Sequence, residues 1–190
     1  MTVKEVVALA AGCLGREDLI PALDKSENAL TPDEKLELDS LMRCYNFVEN
    51  EVALDYRALK REETVNVTGG RINYSALSVT PANIRKVVCG DSIARFAAYP
   101  TYVLLCDGWE GKAKVVYDYI PKSKTKFTQE SEFTEQDLSA RLLAYGVTAQ
   151  YLLVNGETGR AAVWDKKFRD ALRAKNLLRR TVYIRSRRWV

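Results

Sequence analysis

The 190-residue sequence predicts an α+β fold: an antiparallel helical bundle with a long central helix, an inserted small antiparallel β-domain and an extended C-terminal arm. Three observations lead there. A stripe of apolar residues at helical spacing runs on from Thr31. Short alternating runs, punctuated by Gly- and Pro-containing turns, fill the middle of the chain. The final stretch, 171–190, carries seven basic side chains (Arg173, Lys175, Arg179, Arg180, Arg185, Arg187 and Arg188) and no Asp or Glu. The expected boundaries are 1–61 and 132–178 for the bundle, 62–131 for the inserted sheet and 179–190 for the arm.

At the N-terminus, Thr2 with Glu5 three positions on is a capping box that starts a helix reaching about Leu14. Val3, Val6, Val7 and Leu14 should face inward, and Gly15 should end it. A short helical turn around Asp18 to Leu23 and a polar loop follow. Thr31-Pro32-Asp33-Glu34 is a second helix start, with a Thr cap, Pro in the first helical position and acids in the first turn. This helix is expected to run to about Lys60, with Leu38, Leu41, Tyr45, Val48, Val52 and Leu59 on its inner stripe. Asp55 occupies the one skipped slot, where a partly exposed or Arg-paired structural acid is expected rather than a catalytic one.

Gly69-Gly70 between the alternating runs 64–68 and 71–74 predicts a two-residue hairpin. Further strands are expected at 84–89, 93–97, 102–106 and 112–119, with a turn at Gly90-Asp91 and breaks at Asp107-Gly108 and Gly111. Five or six such strands read as a small antiparallel sheet or sandwich. Thr134 with Asp137 predicts the return to helix, running through Asn155 despite Gly146 inside it. Asn155-Gly156 then turns the chain into a last helix, 158–176, with Ala161, Trp164, Phe168, Ala171 and Leu172 on one face. The short connection makes these two helices antiparallel neighbours.

The chemistry that composition excludes is substantial. There is no histidine, so neither Ser–His–Asp nor Cys–His catalysis is possible. Cys13, Cys44, Cys89 and Cys106 form no CxxC pair, and zinc-ligand spacing is absent. They read as reduced, mostly buried thiols. No P-loop, GxGxxG or calcium-loop pattern occurs. The uncharged stretch 96–106 is too short to span a bilayer and contains Pro100. Glu5 argues against reading the apolar run 6–11 as a secretion leader. No catalytic residue, metal site or cofactor is expected.

Three groups of side chains stand out. Asp107, Glu110 and Asp118 fall near predicted strand ends and could make an acid–base or metal pair. Tyr99, Tyr102, Tyr117, Tyr119 and Trp109 could stack bases, although core and rim packing accounts for them better because the strands carry no dense Lys/Arg stripe. The basic loop 121–126 reads as a solvated linker. The strongest signal is the arm itself. The whole chain has 29 basic and 25 acidic residues, a formal charge of +4, and without 171–190 the balance becomes mildly acidic. Arg179, Arg180, Tyr183, Arg185, Arg187, Arg188 and Trp189 are therefore the candidate partner-binding residues. Arg is favoured for bidentate contacts and aromatic stacking, and an extended dozen residues reach about 40 Å. A nucleic-acid contact and a frayed, solvated tail are the alternatives.

The stretch Leu77-Ser78-Val79-Thr80-Pro81-Ala82-Asn83-Ile84-Arg85-Lys86-Val87 resembles a known plan when taken with two later ones. These are Leu143-Ala144-Tyr145-Gly146-Val147-Thr148-Ala149-Gln150-Tyr151 and Gly159-Arg160-Ala161-Ala162-Val163-Trp164-Asp165-Lys166-Lys167-Phe168. The chain then closes on Arg185-Ser186-Arg187-Arg188-Trp189. This order is similar to the head–tail adaptor (connector) neck proteins of tailed bacteriophages. The resemblance implies a structural virion protein, made in the host cytoplasm and located in the neck. About a dozen copies would form a ring beneath the portal protein and extend the DNA channel. The C-terminal segment would dock on the portal, with other neck or tail proteins below, double-stranded DNA passing without specific binding and no membrane involved. A nucleic-acid-binding accessory protein using the basic tail is the alternative function.

Overall fold

The computed structural model describes residues 1–175 and Leu177. Among them the fold is mixed α+β, with helices α1 (Val3–Leu14), α2 (Pro32–Glu51), α3 (Ala140–Val154) and α4 (Thr158–Ala174) and a π-helical turn at Val52–Tyr56. Seven strands make two antiparallel sheets. They are β1 (Leu59–Val67), β2 (Arg71–Asn73), β3 (Pro81–Cys89), β4 (Ser92–Ile93), β5 (Phe96–Ala98), β6 (Tyr102–Leu105) and β7 (Gly111–Tyr119). The larger sheet has the order β1-β7-β3-β4 and the smaller β2-β6-β5.

Both predicted helix starts form, and each is closed by a capping box. Thr2 and Glu5 satisfy one another's backbone N–H groups at the start of α1, and Thr31 and Glu34 do so at the start of α2. The first turn of α1 also donates to the chain preceding α3: Val3 N–H reaches Gln129 O at 3.0 Å and Lys4 N–H reaches Phe127 O at 2.9 Å. Val3, Val6, Val7, Leu38, Leu41, Tyr45, Val48 and Val52 are buried as the helical periodicity requires. They share one core with Leu19, Phe133, Leu138, Leu143, Val147, Phe168 and Leu172. A second, separate core of Val65, Val67, Ile72, Ile84, Val87, Val103, Val115 and Tyr117 fills the space between the sheets.

Several expectations are corrected. The helix begun at Pro32 does not reach Lys60: Arg57 N–H donates to Val52 O at 2.7 Å, a five-residue spacing that loosens the helix. Leu59 and Lys60 instead pair with Tyr119 and Asp118 across β1 and β7. The +7 spacing that placed Leu59 on the helical stripe is equally compatible with a strand start. Asp55 is exposed in the π-helical turn.

The Gly69-Gly70 turn forms, with φ of 59° and 66°, and Thr68 and Arg71 bridge across it. The predicted hairpin ladder does not follow, because β1 continues into the larger sheet and β2 into the smaller. The run 93–97 likewise splits between sheets: Ala94 N–H donates to Val87 O while Arg95 O accepts from Cys106 N–H. Thr134 and Asp137 make a local turn rather than a helix start, and Ser139 caps α3. α4 spans Thr158–Ala174 with Lys175 as its C-cap, and residue 176, the expected end, lies outside the described residues.

Glycine is required inside α3 by close approach. A Cβ on Gly146 would lie 2.7 Å from Val48 Cγ1 and 3.1 Å from the Phe168 ring, so its absence lets α2, α3 and α4 meet at one point. The middle of α3 thus packs against Phe168 in the second half of α4, across the short 155–157 connection.

Candidate interaction surfaces

Residues 179–190, with the predicted partner-binding side chains Arg179, Arg180, Tyr183, Arg185, Arg187, Arg188 and Trp189, lie outside the described residues. The described chain leads into that segment from α4, where Arg173 is paired with Asp170 at 3.0 Å and Lys175 is exposed.

The most prominent surface among the described residues was not legible as a motif. The outer side of α2 carries two exposed apolar residues: Leu36 and Phe47 are 67 % and 53 % exposed and stand about three turns apart, with Ser40 and Arg43 between them, on the side opposite the core stripe. Exposed Leu54 follows in the π-helical turn. The end of α3 adds Leu153 and Val154, and Phe47 and Val154 line one depression of about 390 Å³. A neighbouring groove of about 290 Å³ between α2, α3 and α4 has Val48, Leu153 and Phe168 among its lining residues, with Glu51, Asp165 and Arg169. Burial, then the nearby Asp55 and Asp165, raises the Glu51 carboxyl above its usual value against the pull of Arg169. Arg169 is itself occupied by Asp165 at 2.9 Å. The groove therefore combines apolar walls with unspent negative charge.

A second cluster lies where the sheets join the helices. Glu49 is 1 % exposed, and its Oε1 accepts from the Tyr45 hydroxyl at 3.0 Å, Ser131 Oγ at 2.8 Å and Glu132 N–H at 2.9 Å. Burial and the adjacent Glu49 push the Tyr45 phenol above its ordinary value. Glu132 in turn accepts from Lys124 Nζ at 3.0 Å and from the Tyr119 hydroxyl at 3.1 Å. Burial first, then Glu132, lifts Tyr119 to about 12. Asn46 locks the same segment to α2, donating to Lys124 O at 2.9 Å and accepting from Lys124 N–H at 2.6 Å. The loop 121–126 is thus no solvated linker: Lys124 is buried and belongs to a latch. These polar groups are engaged with one another, which suits holding the β7–α3 connection on α2.

The latch is expected to weaken in acid. Burial opposes the charge on Glu132, but Lys124 and Tyr119 outweigh it and hold the carboxyl below its usual 4.5. Asp137 is held below its usual 3.8 by Thr134 and by Arg57, which donates at 2.7 Å. A depressed folded-state pKa gives stability that is present above the unfolded value and lost as pH falls through the folded one. The urea midpoint should therefore drop as pH falls below the ordinary carboxyl values. In Glu132→Gln this drop should be shallower; an identical pH profile in the variant would contradict the role given to this residue.

The three acids singled out in the sequence do not converge. Glu110 precedes β7 and accepts from Gly69 N–H at 2.7 Å, whereas Asp118 lies near the other end of that strand and takes Arg85 at 2.6 Å. Eight residues of strand separate them, about 27 Å. Among the described residues no group of three His, Cys, Asp or Glu side chains is placed to hold a metal ion. The aromatic residues do not form a stacking platform either. Tyr117 is buried between the sheets with its hydroxyl donating to Glu63, Tyr119 is part of the latch, and Tyr99 stacks on Tyr102 at 4.8 Å. Trp109 is partly exposed and lies against Gly90. All four cysteines are free; Cys44 and Cys89 are buried, and Cys106 is exposed. No described helix is long and apolar enough to cross a membrane.

Comparison with protein-family models and with curated proteins finds no match to this chain.

Proposed function

We propose that this chain is a structural, non-catalytic head–tail adaptor of a tailed-phage neck, assembling as a ring of about a dozen copies beneath the portal. In this reading the helices form an antiparallel bundle with α2 as its long central member, and the sheets are an insertion. Residues 179–190 are an extended arm that docks on the portal through Arg179, Arg180, Tyr183, Arg185, Arg187, Arg188 and Trp189. Double-stranded DNA passes through the channel, and other neck or tail proteins continue it below.

The observation that carries this reading is the exposed apolar face shared by α2 and α3, with Leu36, Phe47, Leu54, Leu153 and Val154 beside an acid-lined groove. Phe47 and Val154 share one depression, and exposed apolar surface gathered in this way marks a protein contact. It suits a subunit that is completed by neighbours. The basic arm of the sequence carries the opposite charge.

Removal of residues 179–190 tests the docking role. The shortened protein is expected to fold with an unchanged circular dichroism spectrum and thermal midpoint, yet no longer to co-sediment with portal-bearing heads. Unchanged affinity for those heads would refute the assignment. The alternative is a nucleic-acid-binding accessory protein using the basic tail. Its binding would depend on the arm's arginines and fall steeply with salt.

A further inference from the structure

We infer that the outer face of the larger sheet is a binding surface for the phosphate backbone of duplex DNA, built from Lys60, Lys86 and Lys112. This goes beyond the adaptor reading and does not depend on the arm.

The register of the sheet assembles the surface. β7 is central, flanked by β1 and β3, and its residues alternate between the two faces. Ala113, Val115 and Tyr117 point into the core between the sheets. Lys112, Lys114, Val116 and Asp118 therefore point outward. On β1, Lys60 lies opposite Asp118, Glu62 opposite Val116 and Asn66 opposite Lys112. On β3, Lys86 lies opposite Val116, and a bulge between Ile84 and Lys86 turns Arg85 onto the same face, where it pairs with Asp118. The face thus holds five bases (Lys60, Arg85, Lys86, Lys112 and Lys114) and two acids (Glu62 and Asp118), a net +3. The whole segment 59–131 has eleven bases and seven acids, so most of its surplus charge is gathered on one side.

Pairing decides which charges are available. Glu62 is taken by Lys114 at 2.9 Å and Asp118 by Arg85 at 2.6 Å. Lys60, Lys86 and Lys112 are exposed, and none is within ion-pair distance of an acid among the described residues. From the level of Lys60 to that of Lys112 is six residues of strand, about 20 Å, and the three strands span about 10 Å across. Three ammonium groups spread over an area of that size can each meet a phosphate of a duplex lying against it. The rest of the face is Thr64, Asn66, Asn83, Val88 and Val116, with exposed Ile93 of β4 at its edge beside Val88 and no aromatic residue to stack a base. Contact would therefore be with phosphate, independent of sequence. Lysine, a strongly hydrated point charge, suits such loose contact better than a clamp.

The test is a titration of the full-length chain against a fluorescent duplex of arbitrary sequence at several salt concentrations. Each phosphate neutralised contributes about −0.9 to the slope of log K against log salt. The variant Lys60→Gln/Lys86→Gln/Lys112→Gln should lose about 2.7 from the magnitude of that slope. The difference is about 40-fold in affinity between about 50 and about 200 mM salt. The variant Lys60→Arg/Lys86→Arg/Lys112→Arg, which keeps the charges, should retain the slope. An unchanged slope in the Gln variant overturns the inference, as does a loss shared equally by the Arg variant, which would report damage to the sheet. Co-sedimentation with portal-bearing heads should be the same in all three proteins, so failure here and failure of the docking role remain distinguishable.

Discussion

Glu49→Ala is expected to cost about 3–5 kcal/mol of folding stability, the largest effect of any single substitution in the latch. One carboxyl oxygen accepts from the Tyr45 hydroxyl, Ser131 Oγ and the Glu132 backbone N–H, and the residue is nearly sealed from solvent. Truncation leaves all three donors without that acceptor at a buried site, each at about 1–3 kcal/mol, with water entering the vacated space offsetting part of the sum. For a chain of this size the thermal midpoint should fall by about 10 °C. Glu49→Gln keeps a carbonyl oxygen in the same place and should lose less than half as much. The measurement is urea and thermal denaturation of the three proteins. A loss under about 1 kcal/mol in Glu49→Ala would show that the connection between β7 and α3 is held by its apolar contacts, with the hydrogen bonds contributing little.

Gly146→Val is expected to destabilise by about 3 kcal/mol, although valine has the better intrinsic helix propensity. The first added carbon already falls 2.7 Å from Val48 Cγ1, closer than real side chains approach, and 3.1 Å from Phe168. Val48 is held to one dominant rotamer in its helix and cannot turn aside cheaply. Phe168 is buried in the helical core. Gly146→Ala should therefore also destabilise, by about 1–2 kcal/mol, the steric cost exceeding the gain in propensity of about 1 kcal/mol. Combining Gly146→Ala with Val48→Ala should recover part of the loss, because the two substitutions relieve one contact. Strict additivity in that cycle, or a neutral Gly146→Ala, would show that the helices can separate at no cost. The groove formed by α2, α3 and α4 would then be adjustable rather than set by this glycine.

Much of the local structure was legible in the sequence because its causes lie within a few residues. The Thr2/Glu5 box, the Thr31 cap, the Gly69-Gly70 and Gly90-Asp91 turns and the inner stripe of α2 all depend on spacing along one element. What failed were the inferences that needed a partner. The Gly69-Gly70 turn is present, but the strands on either side pair with β7 and β6, not with each other. The run 93–97 has strand character throughout, yet the chain passes between sheets at Ala94 and Arg95. Thr134 and Asp137 satisfy each other locally without a helix to cap.

The candidate surfaces divide in the same way. The basic, aromatic character of 179–190 is plain in the sequence. Glu49 gave no signal, because it sits one position past Val48 on a helix whose inner stripe looked wholly apolar. Its partners Ser131 and Glu132 come from more than eighty residues away. Lys124 looked like one lysine in a basic loop, and its backbone bonds to Asn46 and its ammonium bond to Glu132 bring it into the latch.

By itself the sequence determined the class of the fold, the caps and turns of most elements, the exclusion of histidine-dependent catalysis and the concentration of charge at the C-terminal end. Each is a property of composition or of near neighbours, for which short-range sterics and hydrogen bonding suffice. The tertiary structure alone decided that the strands divide between two sheets, that Asp107 and Glu110 stand apart from Asp118, that Glu49 closes a buried latch, and that Lys60, Lys86 and Lys112 share a face. Those outcomes depend on sheet register and helix packing, which bring together residues separated by dozens of positions through contacts that no local spacing encodes.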